Sequence, residues 1–456
     1  MLVVQKYGGT SVGTLERIHA CARRCLETSR KGQGLVVVVS AMSGETNRLI
    51  KLSNRLISGI HGEATGDDNA KGPYVVSERV RHRPHQRELD QLVSTGETVS
   101  ASLLTIAIQE LGGKAVSLVS HQMGMMTDGS YTNARITGID RDRLRRELDM
   151  GHIVVCAGFQ GVDREGNITT LGRGGSDTSA VALAAALEAD ACEILTDVDG
   201  VYTTDPRIEP RAQKLPHLTY EEMIELSSLG AKVLQIRSVE LALKHRVPVH
   251  VRSSLHTGEG TWIVSEQPQT SSRAVNLQTP IVRGVALDRN EAKVTITNVQ
   301  DIPGSIAAIF GKLAGAGVVV DMIIQNASRN GTTDVTFTVP EQDLERSLSG
   351  LREIEFIGKS ATDLLSDRAI CKISIVGVGM RTHAGVASKA FELLGRENIN
   401  IQMVSTSEIK VSVVVHERYG ELAVRALHEG FGLHGEAGTD ASTDASTDAS
   451  TDASAN

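Results

Sequence analysis

Lysine, glycine and hydroxyl side chains stand together in KYGGTSVG, Lys6 to Gly13, where a short apolar run ends. Glycines let a backbone approach a phosphate closely, and free N–H groups at a helix start favour anions. Lys6 adds a mobile point charge for phosphate oxygens, and Thr10 or Ser11 can cap the helix that follows. The pattern matches neither the GxxxxGK(S/T) phosphate loop nor GxGxxG. From these residues alone, a plain strand-to-helix turn with an exposed lysine stays open. A second cluster, GRGGSD from Gly172 to Asp177, opens an Ala-rich helical stretch. Arg173 in such a turn can hold a carboxylate through two parallel hydrogen bonds. Ser176 or Asp177 sits where an N-cap belongs, and a purely capping role for Asp177 stays open as well.

Two further loops carry the same kind of residues: SAMSGETN, Ser40 to Asn47, and STGE, Ser94 to Glu97. Each lies at a strand or helix end, where open α/β sheets bind ligands. TDVDGVYTTDPR, Thr196 to Arg207, puts acidic and hydroxyl groups behind an apolar run, although its DG and DP steps are also ordinary turn chemistry. None of the 14 histidines falls in these motifs.

The elements that must position them alternate along the first half. LVVQKYGG from Leu2, GLVVVVSAMSG from Gly34, HIVVCAGFQG from His152 and CEILTDVDG from Cys192 are short, nearly continuous apolar runs ending in Gly turns. Such runs suit strands buried on both faces of a mostly parallel sheet. LERIHACARRCLETSR and SAVALAAALEA supply crossover helices, so the class is α/β, a three-layer αβα sandwich. Residues 61–90 interrupt the alternation and read as a surface insertion or lid-like arm. A polar, Pro-bounded linker follows at 266–280. Two related segments come next, AKVTITNVQDIPGSIAAIFGKLAGAGVVVDMIIQN from Ala292 and CKISIVGVGMRTHAGVASKAFELLGRENINIQMVSTS from Cys371. Lys293 and Lys372 begin equivalent strands, a period of 79 residues. Each copy reads strand, Gly turn, helix, strand, strand, helix, and its bare sheet edge should be covered by the other copy. The last residues, 437–456, repeat small and acidic residues that cannot bury enough apolar surface to fold.

At 456 residues the chain fits two to four domains, with 40% hydrophobic and 22% charged residues as in ordinary globular proteins. The net charge is −8, and removing the tail's Asp440, Asp444, Asp448 and Asp452 leaves a body of −4. That balance, with 3% aromatics, argues against nucleic acid as a partner. Apolar runs are too short for a membrane helix, and MLVVQKYGG carries no basic leader, so the expected location is the cytoplasm. Five scattered cysteines suit a reducing compartment. Cys21 and Cys25 lie one helical turn apart, yet no His or Cys nearby completes a metal site, and none is expected.

Taken in order, KYGGTS, SAM, STGE, FQG, GRGGSD, TDVDGVYTTDPR and LGAKVLQIRSVE resemble the amino-acid kinase family, and most closely its aspartate kinases, from Leu2 to about Ser254. The repeats, with QDIPGSIAAIF and INIQMVSTSEIKVS, are similar to that family's tandem ferredoxin-like βαββαβ ACT domains. The resemblance implies a catalytic domain at 1–265 and ACT domains at 281–362 and 368–436. It implies ATP with Mg²⁺ as phosphoryl donor, L-aspartate as acceptor, lysine and/or threonine as feedback effectors, and a homo-oligomer. By the same resemblance, Lys6 contacts the transferring phosphoryl group, Gly8, Gly9 and Thr10 cradle phosphates, and Asp177 organises the lysine side of the site. Arg173 would bind the substrate α-carboxylate and Glu97 its ammonium, with Thr46 and Ser40 completing the pocket. Thr196, Asp197, Tyr202, Arg207, Lys232 and Val233 would line the nucleotide site. Effector contacts would come from Asp301, Pro303, Gly304, Ser305, Gln325, Asn326, Met403, Ser405 and Thr406, which could equally be turn and packing residues of a dimerisation domain. A carboxylate nucleophile is already ionised at neutral pH and needs charge neutralisation rather than a general base. Kinases for acetylglutamate, glutamate or uridine monophosphate share the fold but match these motifs less well. A fused homoserine dehydrogenase has no room after the second repeat. A non-catalytic amino-acid sensor is the alternative of another class, which the intact Lys6, Glu97, Arg173 and Asp177 oppose.

Overall fold

The computed structural model describes residues 1–60, 83–228, 233–265, 282–326, 331–354, 363–377, 380 and 385–434. The 266–280 linker, the 437–456 tail and most of the 61–90 segment lie outside the described residues.

The amino-terminal half runs β1 (Leu2–Tyr7), α1 (Leu15–Arg30), β2 (Gly34–Val39), α2 (Glu45–Ile60), α3 (Arg83–Val93) and α4 (Thr95–Glu110). It continues through β3 (Ala115–Leu118), β4 (Met125–Thr127), β5 (Ile136–Ile139), α5 (Asp142–Asp149), β6 (Ile153–Ala157), β7 (Gln160–Val162), β8 (Ile168–Thr170) and α6 (Gly175–Leu187). Then come β9 (Ala191–Thr196), β10 (His217–Thr219), α7 (Tyr220–Ser228), α8 (Ile236–His245), β11 (Val249–Ser253) and β12 (Thr261–Val264).

Eight strands form one sheet in the order β10-β12-β11-β9-β1-β2-β6-β3, with only the β11–β12 pair antiparallel. Successive side chains of a strand point to opposite faces. Accordingly, Val36 and Val38 enter one core with Val154 and Cys156, while Leu35, Val37 and Val39 enter another with Val155 and Ala157. α1 and α4 cover the second core, and α6 and α8 cover the first. Both faces are therefore buried, which explains why these strands read as unbroken apolar runs. Cys21 and Cys25 sit unpaired in the second core as small apolar residues. The helix after KYGGTSVG starts at Leu15 and is capped by Thr14, whose hydroxyl accepts from Arg17 N, rather than by Thr10 or Ser11. The loop between β1 and α1 runs further before the helix closes. No helix among the described residues is long and apolar enough to cross a membrane.

The carboxyl-terminal half comprises β13 (Gly284–Asp288), β14 (Glu291–Gln300), α9 (Ser305–Gly315), β15 (Ile323–Gln325), β16 (Thr332–Pro340), α10 (Leu344–Arg352) and β17 (Leu364–Asp367). The second repeat adds β18 (Ile370–Val376), α11 (Val386–Arg396), β19 (Met403–Thr406), β20 (Lys410–His416) and α12 (Gly420–Gly430). Two four-stranded sheets result, β15-β16-β14-β17 and β13-β18-β20-β19. β13 thus belongs to the second unit's sheet although it precedes the first unit, so sheet membership does not follow a contiguous 281–362 segment. Sequence repetition reveals the two copies, but this edge pairing spans some 90 residues of chain and leaves no local trace.

The units meet around a pseudo-twofold. Lys293 bonds Gln402 of the second unit, and its counterpart Lys372 bonds Asp321 of the first. Met322 and Met403 pack with Ile370 and Val414 between them. Lys372 is buried, and burial alone would push its ammonium down. Glu291 at 3.0 Å, Asp321 and Asp288 at 3.9 Å reverse that and hold its pKa above the ordinary lysine value. The second unit also docks on the catalytic half. Val285 N donates to Thr203 O at 2.8 Å, Lys410 pairs with Glu225 at 2.8 Å, and Arg283 lies 3.4 Å from the buried Glu222.

Lys372→Met leaves Glu291 and Asp288 without their buried cation, and we expect it to destabilise the protein by about 3–5 kcal/mol in urea denaturation. A Lys372→Met/Glu291→Leu double variant should recover much of that loss. A single-variant loss below about 1 kcal/mol, the scale of an exposed pair, would contradict the network's role.

Candidate active site

Six side chains named from the motifs converge at the carboxyl ends of β1 and β2. Lys6, Ser40, Thr46, Glu97, Arg173 and Asp177 line one cavity of about 210 Å³, together with Ala41, Phe159, Ser176 and Gly172, Gly174 and Gly175. Parallel strands with helices on both faces open at their carboxyl ends, and every one of these residues lies there or on a helix that starts there.

Lys6 Nζ stands 2.5 Å from Asp177 Oδ1, and both side chains are about nine-tenths buried. Asp177 lies in the first turn of α6 but is not the N-cap. Gly174, at φ 70°, caps the helix, because a left-handed residue there lets the chain enter α6 one step earlier. The Asp177 carboxylate is thereby free for Lys6. α6 is Ala-rich because it is buried along nearly its whole length against β1, β2 and β9. Its N-terminus, with Gly174, Gly175, Ser176 and Asp177 in the cavity wall, brings the partial positive end of the helix to the cavity.

Glu97, in the first turn of α4, is 3% exposed and accepts a hydrogen bond from Ala41 N at 3.0 Å through Oε1. Its Oε2 has no partner. Burial pushes its carboxyl up to about 8, against the lowering effect of the Ala41 N–H. A buried carboxylate with one idle oxygen in a ligand-sized cavity is a seat for a cation.

Around the β1 turn, Gly8 N donates to Leu195 O at 3.1 Å, and a Cβ on Gly9 would stand 2.7 Å from Ala41 O. Only glycine lets these two strand ends approach so closely. Thr10 shares this turn, its carbonyl accepting from Arg17. Thr196 ends β9, Asp197 follows it, and the two bond each other at 3.0 Å, at the same end of the sheet as Gly8. Tyr202 donates to Asp199, and Arg207 pairs with Asp205 at 2.7 Å while staying largely exposed. These four are not among the cavity's lining residues. Val233 packs against the first core, and Lys232 lies outside the described residues.

In the first repeat unit, Asp301, Pro303 and Gly304 are exposed ahead of α9, and Ser305 is buried in its first turn. Gln300 faces Thr332 and Gln325 faces Val335, so Asp301, Gln325 and Asn326 share one end of that sheet. Met403 instead is 4% exposed in the apolar cluster between the units, while Ser405 and Thr406 continue along edge strand β19. Sequence reading missed Phe159, whose φ of 68° turns the chain between β6 and β7 at the cavity wall. It also missed the buried Asp90, which accepts from Thr132 N, Thr170 N and the Thr170 hydroxyl.

The amino acid kinase family model matches residues 1–253, and ACT domain models match 293–356 and 373–431. An aspartate kinase of Stutzerimonas stutzeri is 51% identical over 96% of this chain and 99% of its own length. An aspartokinase of Helicobacter pylori is 49% identical over 94% of the chain and 98% of its length. Among solved structures, aspartate kinase from Synechocystis superposes with a TM-score of 0.74 at 32% identity, covering 99% of this chain and all of that one. Escherichia coli aspartokinase III in complex with aspartate and ADP gives a TM-score of 0.72 at 26% identity, covering 94% and 99%. The chain belongs to the amino acid kinase family, a class of phosphotransferases whose sheet and glycine turns are those described above. Within that class it is an aspartate kinase with two carboxyl-terminal ACT domains.

If Glu97 must be ionised to take the substrate ammonium, kcat/KM for aspartate should rise with pH and level off above about 8, the pKa of the free enzyme's carboxyl. Glu97→Gln should remove that rise and lower kcat/KM at pH 8. A wild-type profile flat between pH 6 and 8 would contradict the assignment.

Proposed function

We propose that this cavity holds L-aspartate against the γ-phosphate of Mg·ATP and that each charged residue in it has a separate task. Arg173 takes the α-carboxylate, Glu97 takes the ammonium, and Thr46 and Ser40 complete the fit. The side-chain carboxylate is then left facing Lys6. One of its oxygens attacks the γ-phosphorus, the bond to the β-phosphate bridging oxygen breaks, and 4-phospho-L-aspartate and ADP result. Lys6 and the α6 N-terminus neutralise the charge of the phosphoryl group in flight, Asp177 holds Lys6 in place, and Mg²⁺ arrives as part of the nucleotide. Gly8, Gly9 and Thr10 cradle the phosphates, with Thr196, Asp197, Tyr202, Arg207, Lys232 and Val233 on the nucleoside side. The observation that carries this reading is the convergence of Lys6, Glu97, Arg173 and Asp177 on one cavity whose lining includes no histidine. Such a wall suits an acceptor that is already an anion and needs no base.

Feedback control is the second part of the proposal. An amino-acid effector, lysine, threonine or both, would bind near Asp301, Gly304, Ser305, Gln325 and Asn326, with Met403, Ser405 and Thr406 as the second unit's counterparts. Support comes from the exposed Asp301 carboxylate beside the α9 N-terminus, a pair of opposite charges suited to a zwitterion. The Escherichia coli relative has also been seen with lysine and aspartate. The bare edges of β15 and β19 favour assembly into a homo-oligomer. Five buried, unpaired cysteines fit a reducing cytoplasm.

Hydroxylamine should trap the acyl phosphate as aspartyl hydroxamate when ATP, Mg²⁺ and L-aspartate are all present. Lys6→Ala should slow that reaction by about 10²–10³-fold; turnover within about tenfold of wild type would sink the role given to Lys6. Asp301→Ala is expected to keep basal activity and lose inhibition by lysine and threonine, and unaltered inhibition would count against the effector site.

A further inference from the structure

Arg173 is exposed on the loop that follows the buried Leu171, flanked by Gly172 at φ 75° and Gly174 at φ 70°. Two left-handed glycines on either side of one residue make a segment that is free to move unless something outside holds it. Arg237, in the first turn of α8, does so. Its guanidinium donates from Nη1 to Leu171 O at 2.7 Å and to Asn133 Oδ1 at 2.8 Å, and from Nη2 to Ala134 O at 2.9 Å. Leu171 lies two residues before Arg173. Asn133 and its neighbour Thr132 lie on the opposite side, where a Cβ on Gly172 would stand 3.1 Å from Asn133 Oδ1 and from Thr132 O.

The same helix start closes the other flank. Gln235 caps α8, and its Cγ occupies the space 1.8 Å from where a Cβ on Gly174 would be. The Arg173 loop is therefore gripped at both glycines, by Arg237 through Leu171 and Asn133 and by Gln235 directly. A cation in the first turn of a helix works against the helix dipole. Arg237 also makes no carboxylate pair among the described residues, so surface charge pairing does not account for it. A guanidinium can satisfy three acceptors in fixed directions at once, which an ammonium on a flexible stem cannot.

We propose that Arg237 is a positioning residue for aspartate binding. It fixes the backbone from which Arg173 reaches the substrate α-carboxylate, and so sets affinity for the acceptor without touching it. The inference rests on the reading of Arg173 as the carboxylate ligand. In the proposed function ATP rests chiefly on the β1 turn at Gly8, Gly9 and Thr10, which Arg237 does not touch, so its KM should move far less than that for aspartate.

The test is steady-state kinetics of the full-length enzyme with aspartate and ATP varied separately, for wild type, Arg173→Ala, Arg237→Met and Asn133→Ala. Arg237→Met is expected to raise KM for aspartate about tenfold or more, as small misplacements of a positioning group do, with KM for ATP within about twofold of wild type. A general loss of folding would lower the active fraction without moving one KM selectively. Asn133→Ala alters an exposed side chain and should raise KM for aspartate about threefold, since one of Arg237's three acceptors is lost; it carries the test if Arg237→Met is insoluble. An aspartate KM unchanged in the soluble variants, or KM values for both substrates raised alike, would overturn the proposal. Arg173→Ala separates the two layers. If it raises KM for aspartate while Arg237→Met does not, only the positioning role falls. If it leaves KM unchanged, the carboxylate reading falls and takes the positioning role with it.

Discussion

Bringing two anions into contact is the physical problem around which this molecule is arranged. ATP and aspartate repel one another, and the repulsion is strongest where water is excluded. The Lys6–Asp177 pair at 2.5 Å fixes a cation at the mouth of β1 and ties it to the first turn of α6. That tie requires Gly174 to start the helix, Gly9 to let β1 approach Ala41, and a sheet buried on both faces so that β1 and α6 cannot drift apart. Glu97, buried, and Arg173, exposed, line the same cavity, and in the proposed function this pair is what would tell an amino acid from a simple dicarboxylate.

A mechanical route connects this centre with the carboxyl-terminal half. α7 bears Glu222 and Glu225, which meet Arg283 and Lys410 of the second repeat unit's sheet. Thr203 meets both Val285 and His428 of the same unit. Past α7 the chain reaches α8, whose first residues grip the Arg173 loop. A shift of the second unit against the catalytic half would therefore be felt at α7 and could be passed on at the start of α8. Such a route would reach the Arg173 loop without passing through Lys6.

Much of this was legible in the residues. Gly-rich turns behind β-branched runs announce strand ends, and KYGGTS, SAMSGETN, STGE and GRGGSD named six side chains that do share one cavity. Those signals are local, because a turn's conformational needs are met by the residues within it. What escaped notice is non-local. Asp90 reaches Thr170 across 80 residues, Arg237 reaches Leu171 across 66, and β13 crosses to β18. None of these leaves a periodic or compositional mark. Met403, placed with the effector residues, also belongs to the apolar cluster that joins the repeats beside Met322. Asp177, which looked like a cap, yields that place to Gly174 and serves Lys6.

The most direct test of the account is ADP release from Mg·ATP with L-aspartate, L-glutamate and N-acetylglutamate offered in parallel. One methylene more displaces the reacting carboxylate, and acetylation removes the ammonium that the proposed function gives to Glu97. Turnover confined to L-aspartate is the predicted result. Comparable turnover on either other acid would contradict the claim that Arg173, Glu97 and Lys6 together define the acceptor.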